Sequence, residues 1–569
     1  MKKFTCLFFT ACLLKSFSSV AQTTPSLPNN GLTHIMSAEE KLHANEIGKN
    51  FVASAIPLAP VRNIAEFEPT EACIISYAGG FGIPYSLIKD LSNATKVIVV
   101  VPSSSQTTVN NLLQSNAVNM ANIQYLNSAI DSYWARDYSA WFIADGNNKV
   151  GIVDFIYNRP RPNDDALPGK EGTFLSIPVY SMPLTTTGGN WMCDGMGIAT
   201  STDLVWDENT SLTHAQIAQN VNDYLGITNY MVVADPQGQY IKHMDCWGKF
   251  LAVDKILIDS VPASDPQYSA YQAATAYYRN TNCSYGYKYK VYRPFISSSA
   301  NGEPYSNSFI CNNNVYLAFM GVAADNAALS VYQAAMPGYT VKGYLQPSSS
   351  AAWVSTDALH CRVHEIADRK MLYIKHMPLF GKVCSLTGYN INADVVSYDS
   401  QTMKPGYPMV KYKLNSGTWD SIPMTLTTGI TYQATIPYQP NGTVIQYYIK
   451  GIDFVGKTAY HPFIGQPDPH VFTADCATGI ETVVEPETYF STYPNPNNGN
   501  FFIYLNSKRN GTATLTISNT LGESVYNESY PVNSGISLKN IDLTTINKGI
   551  YIIEYRTNFE TITKKIVIQ

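Results

Sequence analysis

Charge is sparse in this sequence. Only 14% of the 569 residues are Asp, Glu, Lys or Arg, and the formal net charge is −5, so a basic nucleic-acid surface is not expected. Long apolar runs are also missing. Past the N-terminus, nothing reaches the roughly 20 apolar residues that a spanning helix needs, and no transmembrane segment is expected. None of the ten cysteines falls in a Cys-x-x-Cys pair, which disfavours a structural zinc site.

The N-terminus does carry a pattern. Met1-Lys-Lys, the apolar run Phe4–Leu14 and the small residues Ser19-Val-Ala21 match a secretory signal peptide, so the mature chain is expected to begin near Gln22. Its removal takes away Lys2, Lys3 and Lys15 and leaves the chain more acidic. That acidity suits cationic partners, although solubility alone accounts for it. Of the cysteines that remain, Cys384 and Cys476 form one candidate pair, and the others suit small buried residues as well as bridges.

The chain is too long for one core. From Phe51 to about Met377 apolar strands alternate with helical segments: Lys96–Val101 follows a helix carrying Leu87, Ile88 and Leu91, and a helix through Ile217, Val221 and Leu225 stops at Gly226. An α/β domain is expected there. From about Gly388 the helical signal ends, and short strands such as Val410–Leu414 and Val444–Ile449 alternate with turns, as in a β-sandwich. A linker is expected between Cys476 and Thr488, followed by a second β-domain.

Five polar residues scattered along the α/β region carry a consistent chemistry: Asp137 in Trp134-Ala-Arg-Asp, His243 and Asp245 in Lys242-His-Met-Asp, Asn307 in Ser306-Asn-Ser, and Cys361 in Leu359-His-Cys-Arg. A thiol nucleophile needs a proton-transfer partner, and a guanidinium, planar with five N–H donors, needs carboxylates that grip it as a fork. If the segment around His243 is a strand, its alternation puts His243 and Asp245 on one face. Arg159 and Arg161 alternate with prolines that hold the backbone extended. A pair of salt bridges to Asp164 and Asp165 is the structural alternative for these arginines.

The order of these motifs, together with Ile156-Tyr-Asn-Arg-Pro-Arg-Pro and Thr187-Gly-Gly-Asn-Trp-Met-Cys-Asp, resembles the bacterial, Porphyromonas-type peptidylarginine deiminases. The resemblance runs from about Phe51 to about His376. It implies an α/β fold, a five-bladed α/β propeller (pentein) with the site at its axis, followed by an immunoglobulin-like sandwich. Cys361 would be the nucleophile, His243 the acid and base, Asp137 and Asp245 the guanidinium carboxylates, and Asn307 an orienting amide. Arg159 and Arg161 would clamp a substrate carboxylate, and Trp134 and Tyr240 would wall the aliphatic stem. His360 and His364 are rivals to His243 by their nearness to Cys361, but the family pattern uses the upstream histidine. Asn190 and Asp194 are expected to brace the site.

No cofactor or catalytic metal is required by this chemistry, while a structural calcium or sodium ion is left open. Expected partners are arginine-containing peptides and proteins. Tyr493-Pro-Asn-Pro-Asn-Asn-Gly and the terminal Lys564-Lys-Ile-Val-Ile-Gln569 resemble the C-terminal sorting domain of the type IX secretion system, which implies export, then release or surface attachment. The expected boundaries are signal peptide 1–21, N-terminal extension 22–50, catalytic domain 51–385, immunoglobulin-like domain 386–475, linker 476–487 and sorting domain 488–569. Agmatine deiminases share the general plan and are the nearest alternative. A non-catalytic surface adhesin is the alternative of a different class.

Overall fold

The computed structural model describes residues 32–348, 351–476, 488–558 and 560–569. The expected signal peptide and most of the expected linker lie outside these residues. Among the described residues, no helix is long and apolar enough to cross a membrane.

Between residues 62 and 367 the chain forms five separate sheets. One unit recurs in them: a short strand pairs antiparallel with a second, a helix crosses over, and a third strand returns parallel to the second. Gly248–Ala252, Lys255–Ile258 and Lys290–Tyr292 around the helix Tyr268–Asn280 are one example. Phe309–Cys311, Asn314–Phe319 and Thr340–Leu345 around Ala324–Ala335 are another. In the first sheet the antiparallel strand comes from the far end of the region, because His364–Ala367 pairs with Thr70–Ser76.

Local sequence explains these elements. Thr213 and Gln216 form a reciprocal capping box on the helix His214–Leu225, which buries Ile217, Val221, Tyr224 and Leu225 and ends at Gly226 in the left-handed region. That spacing places four apolar side chains on one stripe, and glycine takes the positive φ without a side-chain clash. Lys96–Val101 lies between two parallel neighbours, and every residue after Lys96 is buried. This explains its run of valines and isoleucine, since a strand covered on both faces has no need to alternate.

Residues 372–474 form two further sheets that enclose a core including Ile391, Val410, Ile445, Tyr447 and Phe472. The expected start at 386 is corrected by pairing. Leu372–Lys375 already joins Tyr389–Ser397, and Gly381–Val383 joins His470–Ala474. Cys384 and Cys476 are disulfide-bonded across this unit, and the six other described cysteines are free and buried. The last sheets, from Thr488 to Ile568, close over Phe501, Leu515, Ile553 and Ile566.

Candidate active site

Each of the five sheets contributes to one site from the turn just before its first antiparallel strand. Asp137 lies in Ala135–Tyr138 before Trp141–Ala144, and Gly189 lies in Gly188–Asn190 before Met192–Cys193. Asp245 lies in Met244–Cys246 before Gly248–Ala252, with His243 as its cap. Asn307 lies two residues before Phe309–Cys311, and Cys361 lies in His360–Arg362 before His364–Ala367. Repetition of the unit therefore brings together residues far apart in sequence.

One expectation is corrected at this point. His243 and Asp245 are not on a strand. Lys242 takes a positive φ of 51° and a 3₁₀ turn follows, so the side chains converge through the turn rather than by alternation. Their convergence is visible at Gly189. A Cβ there would lie 2.6 Å from His243 Nδ1, 2.9 Å from Asp137 Oδ1 and 3.3 Å from Asp245 Oδ1.

The nucleophile candidate is fully buried. Asn307 Nδ2 donates to Cys361 Sγ at 3.2 Å, while Asn307 Oδ1 accepts from the backbone N–H of His360 at 2.8 Å, fixing the amide's orientation. Sγ also lies 3.7 Å from Asp245 Oδ2. Burial, followed by the carboxylates of Asp245, Asp357 and Asp137, pushes the thiol well above its ordinary pKa. A cation in the site would reverse the electrostatic part of that penalty.

Asp245 is held from behind. His360 Nδ1 bonds its Oδ2 at 2.7 Å, and His360 Nε2 bonds Glu66 Oε2 at 2.7 Å. Lys249 pairs with Glu66 at 2.7 Å, and Arg136 pairs with Glu365 at 2.7 Å. Burial would raise Asp245, but the hydrogen bond and charge of His360 outweigh it and hold the carboxyl below its usual range. Asp245 Oδ2 is thus engaged by His360, while Oδ1 faces Gly189 and accepts from Cys246 Sγ at 3.6 Å. His364 bonds the carbonyl of Glu365 at 2.7 Å and serves the backbone.

Asp137 and His243 differ in that they are underemployed. Asp137 Oδ1 and both ring nitrogens of His243 are buried without a hydrogen-bond partner, an arrangement that costs about 1–3 kcal/mol per group. Burial drives His243 down to about 4 against the opposing pull of Asp137 and Asp245, so its imidazole is neutral and can accept a proton. Asp137 remains ionised.

Trp134 is buried, and its indole N–H donates to Asp357 at 2.9 Å; Asp357 is itself gripped twice by Arg362, at 3.0 and 2.7 Å. Tyr240 is half exposed, with its hydroxyl 3.2 Å from Thr356 Oγ1. The salt-bridge alternative for Arg159 and Arg161 fails. Asp164 accepts from Ser132 and from the N–H of Asp131, and Asp165 accepts from the N–H of Tyr157. Asn190 accepts from the N–H of Thr202 at 2.9 Å, and Asp194 from those of Met196 and Ile198, so both organise backbone.

Glu66, Gly189, His34 and Asp357 went unassigned by sequence reasoning, although Gly189 sits inside a quoted motif and Asp357 lies four residues before Cys361. Two buried sets, His34 with Asp137 and His243, and His34 with Asp357 and Cys361, each bring three ligating atoms within 4.8 Å. Either could chelate an ion, and both would occupy groups that the thiol chemistry uses.

A buried thiol, a neutral imidazole and two ionised carboxylates around one space are the groups that a deiminase acting on a guanidinium requires. Residues 64–365, just over half of the chain, match the Porphyromonas-type peptidyl-arginine deiminase family, and the chain belongs to that family. Residues 491–569 match the secretion system C-terminal sorting domain, which points to a secreted or cell-surface protein. A protein of Yersinia pestis, provisionally named an agmatine deiminase, is 25% identical over 294 residues, 44% of this chain and 78% of its own length. A solved structure with the same provisional name has a TM-score of 0.50 at 17% identity, covering 56% of this chain and 99% of that one, which supports the fold. The agmatine deiminase of Enterococcus faecalis gives 0.49 at 18%, with 56% and 99% covered.

Proposed function

We propose that this chain is an exported peptidylarginine deiminase that converts peptide arginine, chiefly C-terminal arginine, to citrulline and ammonia. The observation that carries this reading is the set of unpartnered buried atoms on Asp137 and His243 that converge with Asp245 at Gly189, where Cys361 Sγ lies 3.7 Å from the same Asp245 carboxylate. A guanidinium supplies what that space lacks, namely a positive charge and several N–H donors in one plane. The five sheets are read as blades of a closed propeller, the sandwich as immunoglobulin-like, and residues 1–21 as a signal peptide.

In the proposed reaction the guanidinium lies between Asp137 and Asp245 with its carbon toward Sγ. Its charge favours the thiolate, and the thiol proton passes to neutral His243. Sulfur bonds to carbon, and the C–N bond breaks as His243 returns its proton to the departing ammonia. A covalent thiouronium remains. Water then gives a proton to His243 and attacks the same carbon, the C–S bond breaks, and the thiol regains its proton. Citrulline's ureido group carries no charge, so the carboxylates release it. Arg159 and Arg161 would hold the substrate's carboxylate.

The names of the relatives favour agmatine as the competing substrate. Agmatine has no carboxylate and would give Arg159 and Arg161 no substrate group to hold. The test offers the purified chain matched peptides with terminal or internal arginine, and agmatine, and measures ureido product and ammonia beside Cys361→Ala. Preference for the C-terminal peptide is expected. Preference for agmatine would establish the competing reading, and absence of product from every substrate would leave an adhesin.

A further inference from the structure

The space built for a cation is filled by the chain itself. His34, from the segment ahead of the catalytic sheets, is 5% exposed, and its Nε2 bonds Asp137 Oδ2 at 2.7 Å. Its ring stacks on Trp134 with centroids 5.1 Å apart, and its other nitrogen lies 3.0 Å from the carbonyl of Thr356. Ring nitrogens of His34 lie within 4.8 Å of Cys361 Sγ on one side and of His243 on the other. A planar nitrogen-bearing ring, pressed on an indole and hydrogen-bonded to the guanidinium carboxylate, repeats the contacts an arginine would make.

The arginine pair is engaged as well. Arg161 Nη2 donates to the carbonyl of Thr33 at 2.6 Å and Nε to Glu40 Oε1 at 2.7 Å, and Arg159 reaches the carbonyl of His34 at 3.4 Å. Glu40 is pre-aimed, because its other oxygen accepts from the N–H of Ser37 in the capping box of the short helix Ala38–Leu42. One segment therefore presents a ring to the guanidinium end and a carboxylate to the clamp, the two features of a C-terminal arginine.

We propose that residues 32–42 are a tethered pseudosubstrate, a peptide ligand of the arginine site that keeps the enzyme closed until it is displaced. The inference rests on the deiminase reading for the meaning of the site, but not for the docking. Release has an available route. Residues 41–46 are exposed, Leu42 is 80% exposed, and a cavity of about 480 Å³ separates residues 46–52 from Arg159 and Arg161. Displacing or cutting this strap disturbs none of the five sheets.

The test uses the full chain with His34→Ala, Glu40→Gln, and a specific protease site inserted at residues 43–46 and cut after folding. Two readouts are taken: kcat and KM on a peptide ending in arginine, and the rate of Cys361 alkylation by iodoacetamide, which needs no turnover. Each change should accelerate alkylation and lower KM, about tenfold for His34→Ala and the cut chain and less for Glu40→Gln, with kcat retained. A synthetic peptide of residues 32–46 should inhibit the cut chain competitively. Unchanged alkylation and KM in both variants would overturn the proposal, as would a fall in kcat with alkylation unchanged, which would place His34 in the machinery. Faster alkylation without turnover on any substrate would keep the docked segment and sink the deiminase reading instead.

Discussion

Two clusters of buried histidines in this molecule differ in what surrounds them. In the sandwich, His461 Nδ1 meets His470 Nε2 at 2.9 Å, and His376 bonds the Tyr447 hydroxyl at 2.8 Å and the Asn392 carbonyl at 2.6 Å. Burial drives all three down, His376 to about 4, and the neighbouring rings add to the effect for His461 and His470. They are neutral and mutually satisfied. In the catalytic region His243 is equally buried and also near 4, yet neither nitrogen has a partner and Asp137 stands 3.7 Å away. Burial of histidine does not mark a site. Unspent hydrogen-bonding capacity beside ionised carboxylates does, because it is costly to fold and is recovered only when a ligand arrives.

The contrast predicts that substitutions in the two clusters separate activity from stability. Cys361→Ala, His243→Gln and Asp137→Asn should each lower kcat/KM at least about 10³-fold with little loss of stability; unfolding curves close to those of the unsubstituted chain are the required control. Gly189→Ala should cost about 10²-fold, since its methyl would enter the space between His243, Asp137 and Asp245. Full activity in that variant would show that substrate does not occupy this space.

The sandwich should behave in the opposite way. Cys384→Ser opens a bridge that spans 92 residues and should cost about 3 kcal/mol of stability, read by denaturant unfolding, with kcat/KM unchanged. For the histidines, folded pKa values lie below the unfolded value near 6.5. Their contribution is full above about pH 6.5 and is lost as pH falls below it, down to about 4 for His376, because the unfolded chain then binds protons that the folded one refuses. His243 and His364, both near 4, act in the same window. His470→Gln should make the decline shallower without altering turnover, and an unchanged slope would mean that the trio is protonated in the fold. The smallest effect belongs to Tyr240→Phe, which removes one half-exposed hydroxyl contact and should change KM by about fivefold at most.

Much of this was legible in the sequence. The helix over Ile217, Val221 and Leu225 ends at Gly226 as its stop signal requires, and Lys96–Val101 is the strand its apolar run predicts. Asp137, His243, Asp245, Asn307 and Cys361 were identifiable by residue type and order. The fivefold repetition of the sheet unit was expected from the family resemblance but not from periodicity, because its turns carry different residues and its first sheet takes its antiparallel strand from residues 364–367. The strand expected at His243 failed since periodicity cannot register the positive φ of Lys242.

The sequence by itself determined the chemistry, because nucleophile, imidazole and carboxylates are properties of residue types, and it determined the local elements, because capping and apolar periodicity act over a few neighbours. Only the tertiary structure decided which of these groups are spent and which are free. His360 and Glu66 hold Asp245, Asp357 holds Trp134, and His34 occupies the place of the cation. Hydrogen-bond saturation depends on contacts between residues hundreds of positions apart, and such contacts leave no periodic trace in the chain that forms them.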